Sequence, residues 1–197
     1  MRTRDIKKEK LVKEKAISLL VKEGFEGFSM QKLAKACNIS VATLYIYYKN
    51  KESLLLELGA EEGKKMTAAT LKNFSPDLPF AEGLRIQWEN RANFWLKNPK
   101  SGAFFEALKH SPYGDCMLDD AMSGFRNIMK TFVHNAVKRK ELKPLPIEVY
   151  WSVAFGPLFT LIRFHHEGKS MGGKPFKFNK TTMEQTFQLV LQTLQPR

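Results

Sequence analysis

The stretch FSMQKLAKACNISVATLYIYYKNKESL, from Phe28 to Leu54, decides the fold. Ser29 stands where a side-chain oxygen caps a helix, and Met30 to Ala36 then alternate apolar and polar residues at helical spacing. A turn through Cys37, Asn38 and Ile39 follows, after which Ser40 caps a second short helix to about Tyr48 and Asn50 is placed to cap a third from Lys51. Two short helices joined by a tight turn form the layout of a helix-turn-helix, whose second helix enters the DNA major groove with its N-terminal end leading. Leu33, Ala34, Ile39 and Leu44 occupy the apolar positions that hold such helices together, and the small Ala34 permits a close crossing. The exposed face of the second helix then carries Val41, Ala42, Thr43, Ile46 and Tyr47.

Upstream, Val12, Ala16, Leu19 and Leu20 lie on one face of a helix that Gly24 is expected to stop. The formal charge reinforces a polyanionic partner. The chain carries 32 Lys and Arg against 20 Asp and Glu, a net +12, and up to Lys51 it carries twelve against five. The first 51 residues thus hold about four times the charge density of the rest. Arg2 and Arg4 suit an arm reaching the minor groove, where arginine is favoured.

Residues 28 to 54, with Val12, Ala16, Leu19, Leu20 and Gly24 before them, closely resemble the DNA-binding head of the tetracycline-repressor (TetR) family. The resemblance implies that Tyr45 and Lys51 touch phosphates. It places Val41, Ala42, Thr43 and Tyr47 toward the groove, brings Gln31 within reach of DNA, and makes Leu44 and Tyr48 core. Two positions depart from the family pattern: Asn38-Ile39 stands where glycine-valine is common, and Ala42 where glycine or proline often sits. The apolar Val41, Ala42 and Ile46 offer contact to thymine methyls rather than a bidentate base pairing.

With 197 residues, 43 % apolar and 26 % charged, and with 12 Gly and 9 Pro, the chain has the composition of an ordered globular protein. Helical spacing recurs to the end of the sequence, giving an all-α expectation of about nine helices. The division is a head over residues 1–51 and a ligand-binding and dimerisation body over 52–197. Two cysteines, Cys37 and Cys116, rule out a disulfide framework; Cys37 reads as a small core or turn residue, with a redox role left open. The apolar stretch from Val153 to Ile162 is too short for a membrane span, which needs about 20 residues. The charged N-terminus is unlike a secretory signal, so a cytoplasmic protein without a membrane partner is expected.

The body is rich in aromatic and methionine side chains. Trp88, Trp95, Phe105, Met122, Phe125, Met129, Trp151 and Phe155, with Arg91 and His110 as polar groups, are the candidate lining of a pocket for a small apolar effector. Ordinary core is the competing reading for each of them taken singly. Residues 147 to 165 look apolar on too many faces for a helix packed on one side. The family's final two helices usually pair with those of a twin subunit, which implies a homodimer interface at Phe155, Gly156, Phe159, Ile162, Phe187, Leu191 and Leu194.

Catalysis has no support in the sequence. Gly168-Lys-Ser170 fails as a phosphate loop because Arg163 stands where that motif needs glycine. The adjacent His165 and His166 point different ways from a helix, and His110 and His134 lack an obvious ligand cluster, so no metal and no cofactor are expected. The favoured function is a homodimeric repressor on a palindromic double-stranded DNA operator, released by a small apolar molecule. An activator or co-repressor-dependent regulator on the same scaffold stays open. So does a protein of another class, an architectural or ligand-storage helical protein that binds DNA without sequence preference.

Overall fold

Caps and breakers at the expected places divide the chain into helices. The computed structural model describes residues 6–109, 111 and 114–196, with the side chains of 109 and 114–122 left aside. Among the described residues, nine helices run in the order α1 (Ile6–Gly27), α2 (Met30–Cys37), α3 (Val41–Tyr47), α4 (Lys51–Thr70), α5 (Phe80–Lys97), α6 (Pro99–Lys109), α7 (Gly114–Lys138), α8 (Ile147–Glu167) and α9 (Lys180–Leu194). Among the described residues the regular structure is all-α, and an antiparallel bridge, Lys169 to Pro175, closes the glycine-rich loop before α9. Among the described residues, no helix is long and apolar enough to cross a membrane.

The chain forms two compact units that do not follow its order. The first takes in residues up to Lys65 and those from Asn98 to Met122; the second holds Met66–Lys97 and the residues from Ser123 onward. In the first unit α1 packs on both α2 and α6, and Val12, Ala16, Leu33, Leu44, Leu54, Leu58 and Phe104 are buried. Gly24 does not end α1 outright. It takes the left-handed backbone (φ 69°), a conformation cheap for glycine, and kinks the helix so that one further turn reaches Gly27.

In the second unit α8 packs on both α5 and α9. This explains why α8 is apolar on so many faces. Phe155, Phe187 and Leu194 have no exposed surface and Ile162 very little, so they are core of the single chain and offer a partner almost nothing to cover. Gly156, Phe159 and Leu191 stay partly exposed. Pro157 lies inside α8 with no N–H to donate to the preceding turn; separately, the Trp88 indole donates to the Ala154 carbonyl at 2.8 Å. Helix α4 stops at Thr70, ahead of Pro76, because α5 supplies substitute donors: Gln87 Nε2 and Asn90 Nδ2 bind the Thr70 carbonyl at 2.8 and 3.0 Å.

Helices α5 and α9 are joined by a two-pronged ion pair, Arg85 to Glu184 at 2.6 and 2.9 Å. The hydrogen bonds from Arg85 and Gln188 hold the Glu184 carboxyl down to about 2 from an ordinary 4.5. A depressed carboxylate stabilises the fold above its ordinary value and loses that contribution as pH falls toward the depressed one. The Arg85–Glu184 coupling is therefore expected to be present at neutral pH and to fade between about pH 4.5 and 2. The side chains are 35 % and 40 % exposed, so screening keeps it below ~1 kcal/mol. A double-mutant cycle with Arg85→Ala and Glu184→Ala at pH 7 and pH 3 checks this. A coupling of equal size at both values would contradict it.

Candidate nucleic-acid interface and effector site

Every junction in the head is held by a local hydrogen bond. Ser29 Oγ accepts from Lys32 N at 3.2 Å, and Ser40 Oγ accepts from Thr43 N at 3.1 Å. Asn50 and Ser53 cap α4 reciprocally, Ser53 N donating to Asn50 Oδ1 at 2.7 Å and Asn50 N to Ser53 Oγ at 3.1 Å. Cys37 closes α2 rather than opening the turn, and Asn38 makes the turn in the left-handed conformation (φ 52°, ψ 46°). Asparagine is among the non-glycine residues that tolerate this geometry best, which is why it can replace the family's glycine there. The N–H groups of Asn38 and Ile39 then satisfy the carbonyls of Lys35 and Ala34 at 3.2 and 3.1 Å.

These joints fix which side of α3 faces out. Leu44 is fully buried and Tyr48 nearly so, whereas Tyr45 is 51 % and Ile46 61 % exposed. Ala42 is also exposed, Val41, Thr43 and Tyr47 are half-buried, and Gln31 is exposed on α2. The expected contact residues Gln31, Val41, Ala42, Thr43, Tyr45 and Tyr47 thus all keep surface. The Thr43 hydroxyl is engaged with Ser40 Oγ at 2.8 Å. The Lys51 ammonium, expected at a phosphate, donates here to the Phe25 carbonyl at 2.9 Å and lies over the Phe25 ring at 4.1 Å. It ties the kinked end of α1 to the start of α4. Arg2 and Arg4 lie outside the described residues.

Between α1 and α2 opens a groove of about 420 Å³ bordered by Lys15, Lys22, Lys32 and Lys35, in keeping with the positive charge read from the sequence. Lys32 is held by Glu23 and the Gly27 carbonyl. Lys13 is the electrostatic centre of the unit, an anchor the sequence did not signal: it meets Glu9 at 3.1 Å, Glu57 at 2.8 Å and also Glu61, pinning α1 to α4. Burial disfavours its charge, but the three carboxylates outweigh that and hold the ammonium above the ordinary lysine range. Burial pushes the Cys37 thiol up, the reverse of what a reactive cysteine needs.

The residues expected around an effector divide between the units. Phe105, buried, belongs to the first unit and stacks edge-on with Phe104, their centroids 5.7 Å apart. His110 lies outside the described residues, as does the side chain of Met122. In the second unit, Arg91, Phe125, Met129 and Phe155 are buried and Trp151 is half-buried; the rings of Phe125 and Phe155 both lean on Trp151. Trp88 is fully buried and its N–H is committed to the Ala154 carbonyl. Trp95 is half-buried and meets Phe94 edge-on at 5.0 Å.

Arg91 is the unusual member of this group. It is 4 % exposed, with its guanidinium over the rings of Phe155, Trp151 and Phe125 at 4.4, 5.2 and 5.3 Å. Nη2 donates to Gln87 Oε1 at 3.1 Å, while Nε has no partner. The neighbouring Tyr150 hydroxyl is likewise buried without a partner and pushed up by burial. Desolvation pushes Arg91 down to about 10. Among the described residues there is no group of three or more His, Cys, Asp or Glu side chains that could hold a metal ion.

The profile of the family described as "Bacterial regulatory proteins, tetR family" matches residues 13–58, the helix-turn-helix and its flanks. A Haemophilus influenzae protein named an uncharacterized HTH-type transcriptional regulator is 37 % identical over 81 residues, 41 % of this chain and 43 % of that one. Bacillus subtilis YuxN, named in the same way, is 36 % identical over 87 residues, 42 % of this chain and 30 % of that one. The chain therefore spans less than half the length of these curated relatives. Solved structures extend the likeness to the whole chain. A TetR family transcription regulator from Marinobacter aquaeolei is 27 % identical, with a TM-score of 0.79 and 100 % of both chains covered. FadR from Bacillus subtilis, solved in complex with stearoyl-CoA, shares the fold at 14 % identity with a TM-score of 0.70 over 93 % of this chain and 97 % of that one. The helix-turn-helix over residues 13–58 is thus that of the tetR family of bacterial regulatory proteins, and the full chain shares its fold with a TetR family transcription regulator.

Proposed function

We propose that the chain is a homodimeric repressor that reads a palindromic operator through α3 and is released by a small molecule bound in its body. Like its family it is a regulatory protein and not an enzyme. The observation that carries the DNA reading is the presentation of Tyr45 and Ile46 on a rigidly capped α3, within a head that is net positive. In this reading residues 1–51 form the DNA-binding head and 52–197 the sensing and pairing body. Gln31, Val41, Ala42, Thr43, Tyr45, Tyr47 and Lys51 face DNA, with Arg2 and Arg4 as a minor-groove arm. Contact by Lys51 then requires it to exchange the Phe25 carbonyl for a phosphate.

Dimerisation uses what α8 and α9 leave uncovered: Val149 and Leu189, 43 % and 66 % exposed, with the partly exposed Gly156, Phe159 and Leu191. A two-fold pair of heads matches a palindrome and doubles the contacts of one small head. An effector releases the operator only if it binds the two conformations of the dimer unequally. That FadR holds stearoyl-CoA supports a body of this fold as a site for an apolar chain.

Selection of bound sequences from a random duplex library at about 0.15 M salt tests the reading. The expected result is an enriched palindrome with half-sites one or more helical turns apart. Tyr45→Ala is expected to weaken binding to it on the order of tenfold with little change in thermal stability, since the side chain is half exposed. Enrichment without symmetry would sink the dimer, and an unchanged Tyr45→Ala affinity would remove α3 from the interface.

A further inference from the structure

Three other arginines of the chain show what this protein does with a guanidinium. Arg85 is paired with Glu184 at 2.6 Å, Arg139 with Glu141 at 3.1 Å, and Arg163 stands 3.9 Å from Glu167, all with substantial exposure. Arg91, 4 % exposed, is in the opposite position: no carboxylate among the described residues pairs with it. A lone buried charge is costly, and the usual outcomes are a partner, a shifted pKa or replacement by an apolar residue. Aromatic faces soften the cost, but they cover the flat sides of the guanidinium and leave its edges to acceptors.

The edges are largely unused. One Nη2 hydrogen goes to Gln87, whose own amide is held by the Thr70 carbonyl, so Gln87 is fixed in place as a positioning residue. The Nε–H is unpaired, and the Tyr150 hydroxyl, the charged or titratable group whose field reaches Arg91, is unpaired as well. Nε–H together with an adjacent Nη–H forms a fork whose spacing matches two oxygens of a carboxylate. Around the fork stand the rings of Phe125, Trp151 and Phe155, with Met129 buried on the same helix as Phe125 and Trp151 reaching the surface.

We infer that Arg91, with the Tyr150 hydroxyl, is the receptor for the anionic head of an amphipathic organic acid whose apolar body lies among the aromatic rings of α7 and α8. This rests on the effector reading above and sharpens it: the ligand is an anion rather than a purely apolar molecule. Binding supplies the missing counter-charge and satisfies both orphaned polar groups in one step. The chemistry that fits is a carboxylate on an alkyl or aryl body, with a sulfonate as its geometric mimic.

Two fluorescent probes that differ in charge test this on the full chain: anilinonaphthalene sulfonate and its uncharged parent, N-phenylnaphthylamine. Decanoate and methyl decanoate serve as competitors, in about 0.5 M salt so that surface lysines are screened. The sulfonate is expected to bind about tenfold more tightly than the neutral probe and to be displaced by decanoate but not by the ester. Arg91→Met should abolish that preference while retaining the neutral probe, and Tyr150→Phe should reduce it. Circular dichroism and thermal unfolding report whether each variant folds; if Arg91→Met does not, decanoate against ester on the wild type and on Tyr150→Phe decides. Equal affinity of the two probes, displacement by the ester as readily as by decanoate, or a preference that survives Arg91→Met overturns the anion receptor and leaves an apolar effector cavity standing. Binding of neither probe overturns the anion receptor and the effector reading together.

Discussion

Leu44→Ala is expected to destabilise the protein by about 2–5 kcal/mol, the range for emptying a fully buried leucine site. Leu44 has no exposed surface, and it is the buried anchor of α3, whose remaining residues face outward or sit at the edge. A helix of this length has no stability of its own and exists because its one apolar contact face is packed. Ser40 and Tyr48 still supply the hydrogen bonds at its two ends, so the loss is one of packing rather than capping. Against a typical total of 5–15 kcal/mol the change is large, and it should remove operator binding along with the α3 geometry. Urea unfolding of wild type and Leu44→Ala measures it. A loss below about 1 kcal/mol would mean the α2–α3 core tolerates collapse and does not depend on Leu44.

Gly83→Ala should destabilise by about 1–3 kcal/mol although alanine is the better helix former by about 1 kcal/mol. A Cβ at position 83 would lie 2.5 Å from Phe132 Cε2 and 2.7 Å from Cζ, well inside contact distance. The ring cannot swing aside. Phe132 is fully buried, edge-on to Phe74 at 5.1 Å and stacked on Phe80 at 5.9 Å. Relief therefore requires α5 and α7 to separate, with loss of packing along both. Gly124→Ala is the matched comparison: it too is helical, but nothing lies within 4 Å of its added Cβ. There the propensity gain should appear undiminished, raising stability by about 0.5–1 kcal/mol. Unfolding midpoints of the two variants shifting in the same direction would contradict the close α5–α7 approach.

The two glycines are indistinguishable by any local rule, and the same contrast runs through the molecule. In the head, Ser29, Ser40 and Asn50 announce three helix starts because a cap acts within three residues of itself. Asn38 departs from the family's usual glycine yet satisfies the same left-handed requirement, again a single-residue property. In the body, the apolar excess of α8 is taken up by its own α5 and α9. Apolar spacing tells which side of a helix is covered and not by what.

Arg85 and Arg91 draw the line most sharply, since they lie six positions apart on one helix. One is partly exposed and paired with Glu184 from α9; the other is sealed under rings from α7 and α8 without a counter-charge. Likewise Lys51, matched by sequence to a phosphate contact, finds a carbonyl 26 positions upstream in space beside it. The amino-acid order alone determined the helices, their caps and the basic helix-turn-helix, because those follow from interactions spanning a few residues. The fates of Arg91, Gly83, Lys51 and the α8 surface were decided by tertiary structure, because burial and pairing there depend on elements distant in sequence whose approach no local pattern encodes.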